Sequence, residues 1–97
     1  MRVEYHPETA QDLNKAIEFY EQRQEGLGID LRKEIYQSID HIIANPYIYR
    51  EMEGKIRRCF VHRFPFSILY KIIDDNVVRI LVIRHHRQHP EFGLSRE

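Results

Sequence analysis

The residue types best able to bind phosphate or move protons are concentrated in the second half of this chain. Residues 54–97 contain nine Lys/Arg and four Asp/Glu, a net charge of +5, whereas residues 1–53 contain six and eleven, a net charge of −5. Four of the six histidines also lie in the basic half: His62, His85, His86 and His89. Histidine, with a reference pKa of about 6.5, can transfer protons at neutral pH. We expect a positive surface that faces phosphate or an acidic partner; the alternative is a set of solvated residues at a sheet end.

The arginines of this half flank two apolar runs, at 56–73 and 77–83, that are typical of strands. Cations grouped around strands favour a binding surface over scattered solvated residues. The arginines predicted to bind a target are Arg57, Arg58, Arg79, Arg84 and Arg87.

Several other patterns predict packing rather than chemistry. His85 and His89 would share a metal only on a helix, which the preceding strand and Pro90 argue against, so no metal site is predicted. No glycine-rich phosphate loop occurs, and no cofactor is expected. Cys59 is predicted to be a small packing residue. The evenly spaced aromatic residues of the strands are predicted to lie in the core: Phe60, Phe64, Phe66 and Tyr70.

The chain length and apolar content predict one domain over residues 1–97. The single cysteine cannot form an internal disulfide, and no apolar run approaches the length of about 18–20 residues that a membrane span needs. We therefore expect a cytoplasmic protein with no membrane partner.

The elements that must position the basic residues can be read from apolar spacing. A short strand over 1–5 is followed by a helix that begins near Pro7 and runs to about Gln24, and Gly26 is the residue expected to terminate it. Asp12 and Glu21 are predicted to lie on the solvated face of this helix. A second helix ends at Asn45-Pro46.

After an irregular connection over 47–53, strands are predicted over 56–63, 66–73 and 77–84, with a turn at 74–76. The order β-α-α-β-β-β predicts an α+β fold in which a helical hairpin packs on one face of a small, mostly antiparallel sheet. The tail over 85–94 leaves the sheet, and Phe92 and Leu94 could hold it against the core.

Residues 56–72, IRRCFVHRFPFSILYKI, and 77–85, VVRILVIRH, followed by Arg87 and Pro90, resemble the ParE/RelE toxin superfamily, and the resemblance covers essentially the whole chain. It implies the toxin of a type II toxin–antitoxin system, of the plasmid-stabilisation kind. Such a toxin arrests growth unless a cognate antitoxin holds it in a hetero-oligomer.

The superfamily divides into ParE-like inhibitors of DNA gyrase and RelE-like endoribonucleases that cut mRNA on the ribosome. The resemblance implies, for a ribonuclease, basic residues on the second strand, an arginine on the third, an arginine after the fourth and a tyrosine near the C-terminus. Lys55, Arg57 and Arg58 supply the basic residues of the second strand, and Arg87 supplies the arginine after the fourth strand. The position of the third-strand arginine is occupied by Ser67, and that of the C-terminal tyrosine by Phe92-Gly93.

These departures, together with two long helices, favour a gyrase inhibitor that is not an enzyme. The alternative is a metal-independent ribonuclease in which a histidine moves protons. Its candidate residues are Arg58, Arg87, His86 and His85. A third interpretation is a non-toxic module that only binds an antitoxin.

Overall fold

The computed structural model describes residues 1–97, which form two helices and five strands. The elements are β1 (Arg2–Tyr5), α1 (Thr9–Arg23), α2 (Leu27–Ala44), β2 (Glu51–Glu53), β3 (Ile56–Phe60), β4 (Phe66–Asp74) and β5 (Val77–His85). The strands form one sheet in the order β1-β5-β4-β3-β2, in which β1 and β5 are parallel and the other pairs antiparallel. The predicted α+β class, with a helical hairpin on a mostly antiparallel sheet, is confirmed.

Three element boundaries differ from the prediction. The connection predicted to be irregular contains β2, which pairs with β3 over only a few residues, too few to produce a visible alternation in the sequence. β3 ends at Phe60 rather than at residue 63, because the chain turns there and Arg63 adopts a left-handed backbone with φ of 75°. α1 begins at Thr9, two residues after Pro7.

The helical hairpin is closed by a carboxylate that was predicted to lie in solvent. Glu21, near the end of α1, accepts hydrogen bonds from the backbone N–H groups of Gly26 at 2.8 Å and Gly28 at 2.9 Å. It thereby satisfies donors at the start of α2 that have no partner within that helix. A Cβ on Gly28 would lie 2.5 Å from the carbonyl oxygen of Ile17, so glycine is what allows the two helices to approach this closely.

One face of the sheet, called here the helix side, packs against both helices. Its apolar cluster contains 15 buried residues, among them Leu31 and Ile35 from α2 and Ile68 and Ile80 from the sheet, all fully buried. Tyr70 is also fully buried, and its hydroxyl donates to the carbonyl oxygen of Pro46 at 2.6 Å. Neither helix combines the length and the apolar character that a membrane crossing requires.

The opposite face, called here the tail side, is covered by the C-terminal segment. Phe92 and Leu94 pack against a smaller cluster of four buried residues: Ile56, Leu69, Leu81 and Val82. Leu69 pairs with Val82 while Tyr70 pairs with Ile80, so Leu81 is an extra residue that forms a β-bulge. Leu81 and Val82 consequently both contribute to the tail side.

An ion pair near the C-terminus fastens the tail to α1. Arg96 donates to Asp12 Oδ2 at 2.6 Å, to Asp12 Oδ1 at 3.2 Å and to the carbonyl oxygen of Leu81 at 3.0 Å. Asp12 also accepts the backbone N–H of Ile83 at 3.2 Å. The prediction that Asp12 faces solvent is therefore wrong, because its carboxylate accepts a backbone N–H of β5 in the part of that strand that does not pair with β1.

Candidate functional site

Five side chains meet on the tail side, at the end of the sheet where β3 finishes and β4 begins. In the strand register Phe60 pairs with Ser67 and Ser67 with Arg84, while Arg58 pairs with Leu69. Side chains alternate along a strand, so those of Arg58, Phe60, Ser67 and Arg84 project from the same face as Leu69. His86 joins them just after β5. We call this group the arginine platform: Arg58, Phe60, Ser67, Arg84 and His86.

Arg84 is the most enclosed charge of the arginine platform, since only 8% of the residue is exposed. Its guanidinium donates to the carbonyl oxygen of Pro90 in the tail and forms no ion pair. Burial, and then the charge of Arg58, lower the pKa of Arg84 below its ordinary value. A cation taken out of water without a carboxylate is costly, so this position favours an anion that approaches from solvent.

Arg58 and Phe60 form the more accessible part of the arginine platform. The guanidinium carbon of Arg58 lies 4.6 Å from the centroid of the Phe60 ring, a cation–π contact, and Arg58 also has no ion pair. Phe60 was predicted to lie in the core, but 59% of it is exposed. Its place in the alternation is the reason: the buried neighbours Cys59 and Val61 occupy the helix side, so Phe60 must face the other way.

Ser67 and His86 supply the polar groups of the arginine platform. Ser67 Oγ lies 3.0 Å from His86 Nε2, and the tautomer of the imidazole decides which group donates. The His86 ring meets Phe60 edge-on, with centroids 5.6 Å apart and planes at 85°. These contacts hold one imidazole, able to exchange a proton, beside two cations.

Two of the predicted target-binding arginines are engaged within the chain. Arg57 contacts Glu51 at 3.1 Å and donates to the carbonyl oxygen of Tyr49 at 2.7 Å, which holds the connection after α2. Arg79 pairs with Glu4 at 2.9 Å, and the hydrogen bond from Arg79 is the main cause of the lowered pKa of that carboxyl. The cationic surface is therefore smaller than the sequence predicts.

The two other predicted residues, His85 and Arg87, lie on the helix side, where the chain leaves β5. The His85 ring packs edge-on against Phe66 at 5.0 Å, and its Nδ1 accepts the backbone N–H of Arg87 at 2.9 Å. Burial lowers the pKa of His85, and Arg87 and His86 lower it further. Arg87 is exposed and forms no ion pair.

His85 and Arg87 line two adjoining cavities of about 570 and 520 Å³, which lie between α1 and the end of β5. Phe19 and Tyr20 of α1 also line both cavities. Phe19 is 51% exposed. We call this surface the α1 groove. Of the four residues proposed for a ribonuclease, Arg58 lies in the arginine platform and His85 and Arg87 in the α1 groove, while His86 belongs to the arginine platform and also lines the second cavity of the α1 groove. Adjacent residues at a strand end face opposite ways, which is why the rings of His85 and His86 pack on different aromatic residues, Phe66 and Phe60.

The sequence from residue 3 to residue 90 matches the family described as "ParE toxin of type II toxin-antitoxin system, parDE". A solved structure, "Chromosomal ParDE TA system from P. aeruginosa", is similar in fold, with a TM-score of 0.73 and 21% sequence identity. That similarity covers 88% of this chain and 95% of the other. No curated protein matches the sequence.

Proposed function

The chain belongs to the ParE toxin family of type II toxin–antitoxin systems, and we propose that it acts on DNA gyrase. The resemblance noted from the sequence implies this target for ParE-like members. The observation that carries the choice is the separation of Arg58, in the arginine platform, from His85 and Arg87, in the α1 groove; His86 borders both surfaces. Arg58 and His86 both contact Phe60, and His86 also contacts Ser67, whereas His85 contacts Phe66 and Arg87 on the helix side. A gyrase inhibitor needs a cationic surface and no converging acid–base set.

The cognate antitoxin is proposed to occupy the α1 groove. Exposed Phe19 offers an apolar anchor, and Lys15, Arg23 and Arg87 add positive charge along the two cavities. An amphipathic segment with acidic residues at its margins would complement this surface. The solved structure of similar fold is that of a ParDE system, which supports a partner of this kind.

The gyrase proposal is tested with the purified chain, purified gyrase and supercoiled plasmid. We expect inhibited supercoiling and linear DNA trapped as a covalent gyrase complex, both suppressed by added antitoxin. Arg58→Gln should weaken inhibition more than Arg79→Gln, because Arg79 is already paired with Glu4. Unimpaired gyrase at toxin concentrations that arrest growth would reject gyrase as the target.

A ribosome-dependent ribonuclease is the second candidate, favoured by one observation. Ser67 Oγ and His86 Nε2 lie 3.0 Å apart beside two arginines without ion pairs, an arrangement in which an imidazole could move a proton near a bound phosphate. Toeprinting on translating ribosomes would then reveal codon-dependent cuts. The cuts should disappear in His86→Gln and persist in His89→Gln, since His89 is exposed and lies outside the arginine platform.

Neither activity applies if the chain only binds an antitoxin. Expression of the chain alone distinguishes this case, because both toxin proposals require growth arrest that the antitoxin reverses. Unaltered growth with soluble, folded protein would leave the antitoxin-binding module as the function.

A further inference from the structure

We propose that the arginine platform is a binding site for single-stranded nucleic acid, with a phosphodiester between Arg58 and Arg84 and an unpaired base on Phe60. This site goes beyond the proposed function, because the gyrase proposal uses only the positive charge of Arg58 and the antitoxin proposal concerns the α1 groove.

The arginine platform carries two cations whose charge is not neutralised within the chain. Arg58 and Arg84 lie on neighbouring rows of one sheet face, and neither has a carboxylate partner. The four acids of residues 54–97 lie elsewhere: Asp74 and Asp75 occupy the turn at the far end of β4, and Glu91 and Glu97 lie in the tail without ion pairs. A phosphodiester, like a carboxylate, is an anion that guanidinium groups bind with two parallel hydrogen bonds.

An aromatic surface lies beside that charge. Phe60 remains 59% exposed although Arg58 lies over its ring and His86 meets its edge. A strand-borne aromatic next to unpaired arginines is the combination used to stack bases of single strands. A paired base inside a duplex cannot stack on such a ring without being unstacked, so the surface favours single strands.

Three groups of the arginine platform, Arg84, Ser67 and His86, are held by hydrogen bonds within the chain. Arg84 is nearly buried and held by the carbonyl oxygen of Pro90, while Ser67 is 2% exposed and fixes His86. The backbone N–H of His86 donates to the carbonyl oxygen of Pro65 at 2.9 Å, which fixes this residue further. These three groups are therefore placed before a ligand arrives, which reduces the side-chain ordering that binding costs.

The test is fluorescence anisotropy with a labelled oligothymidylate of about ten nucleotides, the matched oligouridylate and a DNA duplex of equal length. We expect both single strands to bind more tightly than the duplex, and the stronger of the two identifies DNA or RNA as the natural source. Phe60→Ala and Arg58→Gln should each weaken binding about tenfold. Arg58→Gln should also reduce the slope of log Kd against log salt by about one.

Two controls keep the test decisive. Arg87→Gln removes the same charge from the α1 groove, so binding should change less than twofold, and thermal unfolding verifies that each variant is folded. Equal losses in Arg58→Gln and Arg87→Gln, no effect of Phe60→Ala, or equal binding of duplex would overturn the proposal. Competition by a poly-glutamate peptide as effective as that by unlabelled oligonucleotide would also overturn it.

The outcome is separable from the gyrase proposal. A Phe60→Ala variant that no longer binds oligonucleotide is assayed in parallel for inhibition of supercoiling. Binding of single strands by the parent chain supports the site whether or not gyrase is inhibited, whereas gyrase inhibition without any oligonucleotide binding overturns the site alone.

Discussion

The two faces of the sheet differ in what covers them. The helix side buries a cluster of 15 apolar residues under two full helices, whereas the tail side buries four under a short C-terminal segment. The helix side is almost entirely apolar; the tail side shares its surface with Arg58, Ser67 and Arg84. Burial of apolar area is the main source of folding free energy, so the larger cluster can stabilise the fold while the smaller face holds charged groups.

The first test of this comparison has the largest expected effect on stability. Ile35→Ala removes a fully buried side chain from the helix side and should lower the free energy of unfolding by about 2–5 kcal/mol. Urea denaturation measures the change. Ile29→Ala, on the same helix but 55% exposed, is the matched control and should stay within about 0.5 kcal/mol of the parent. Equal losses at both positions would contradict the burial pattern.

The second test addresses how the tail is held. Asp12→Asn removes the charge that pairs with Arg96, where both side chains are about nine-tenths buried, and should cost about 2–3 kcal/mol. Release of the tail should also accelerate digestion by carboxypeptidase. Glu8→Gln changes only the exposed partner of the same arginine, and it should have little effect on either measurement.

The third test removes apolar cover from the tail side. Phe92 packs on the four-residue cluster but is only partly buried, and Arg96 lies 5.1 Å from its ring. Phe92→Ala should therefore cost about 1–2 kcal/mol, less than Ile35→Ala. A loss as large as that of Ile35→Ala, measured by the same urea denaturation, would mean that the two faces contribute equally.

The smallest effect is a dependence on pH at the exit of β5. Because burial lowers the pKa of His85 below its ordinary value of 6.5, the folded chain holds this proton less tightly than the unfolded chain. The contribution to stability is complete above pH 6.5 and is lost as pH falls from there through the folded-state pKa. The free energy of unfolding, measured by urea denaturation from pH 7.5 to 5, should fall less steeply with decreasing pH in His85→Gln than in the parent.

Much of the fold was predictable because long periodic segments report burial directly. The apolar stripe of α2 and the strand run of β5 identified the hairpin and the centre of the sheet. Contacts between distant residues were not predictable. Glu21 and Asp12 looked solvated because their partners, Gly28 and Arg96, belong to other elements.

The candidate site was predicted only in part, for the same reason. Arg58, Arg84 and His86 were singled out by type and position, but nothing local indicated that Arg57 and Arg79 would pair with Glu51 and Glu4. The exposed position of Phe60 could have been predicted from the sequence. Strand alternation with Cys59, which was predicted to be a small packing residue, places Phe60 on the same face as Arg58. Binding by these residues stays a prediction.

The β-bulge at Leu81 determines which side chains in the second half of β5 project toward the helices and which project toward the tail side. If Leu81 took part in regular pairing instead of forming the bulge, a strand that directs Val78 and Ile80 toward the helices would direct Val82 and Arg84 there as well, and a guanidinium would enter the largest apolar cluster. By shifting the parity of β5 halfway along its length, one unpaired residue sends Arg84 to the tail side and Ile83 to the helices. Deleting Leu81 would therefore leave Ile83 and Arg84 on their present faces, whereas regular pairing of β5 with Leu81 retained would exchange those faces and direct Arg84 toward the helices.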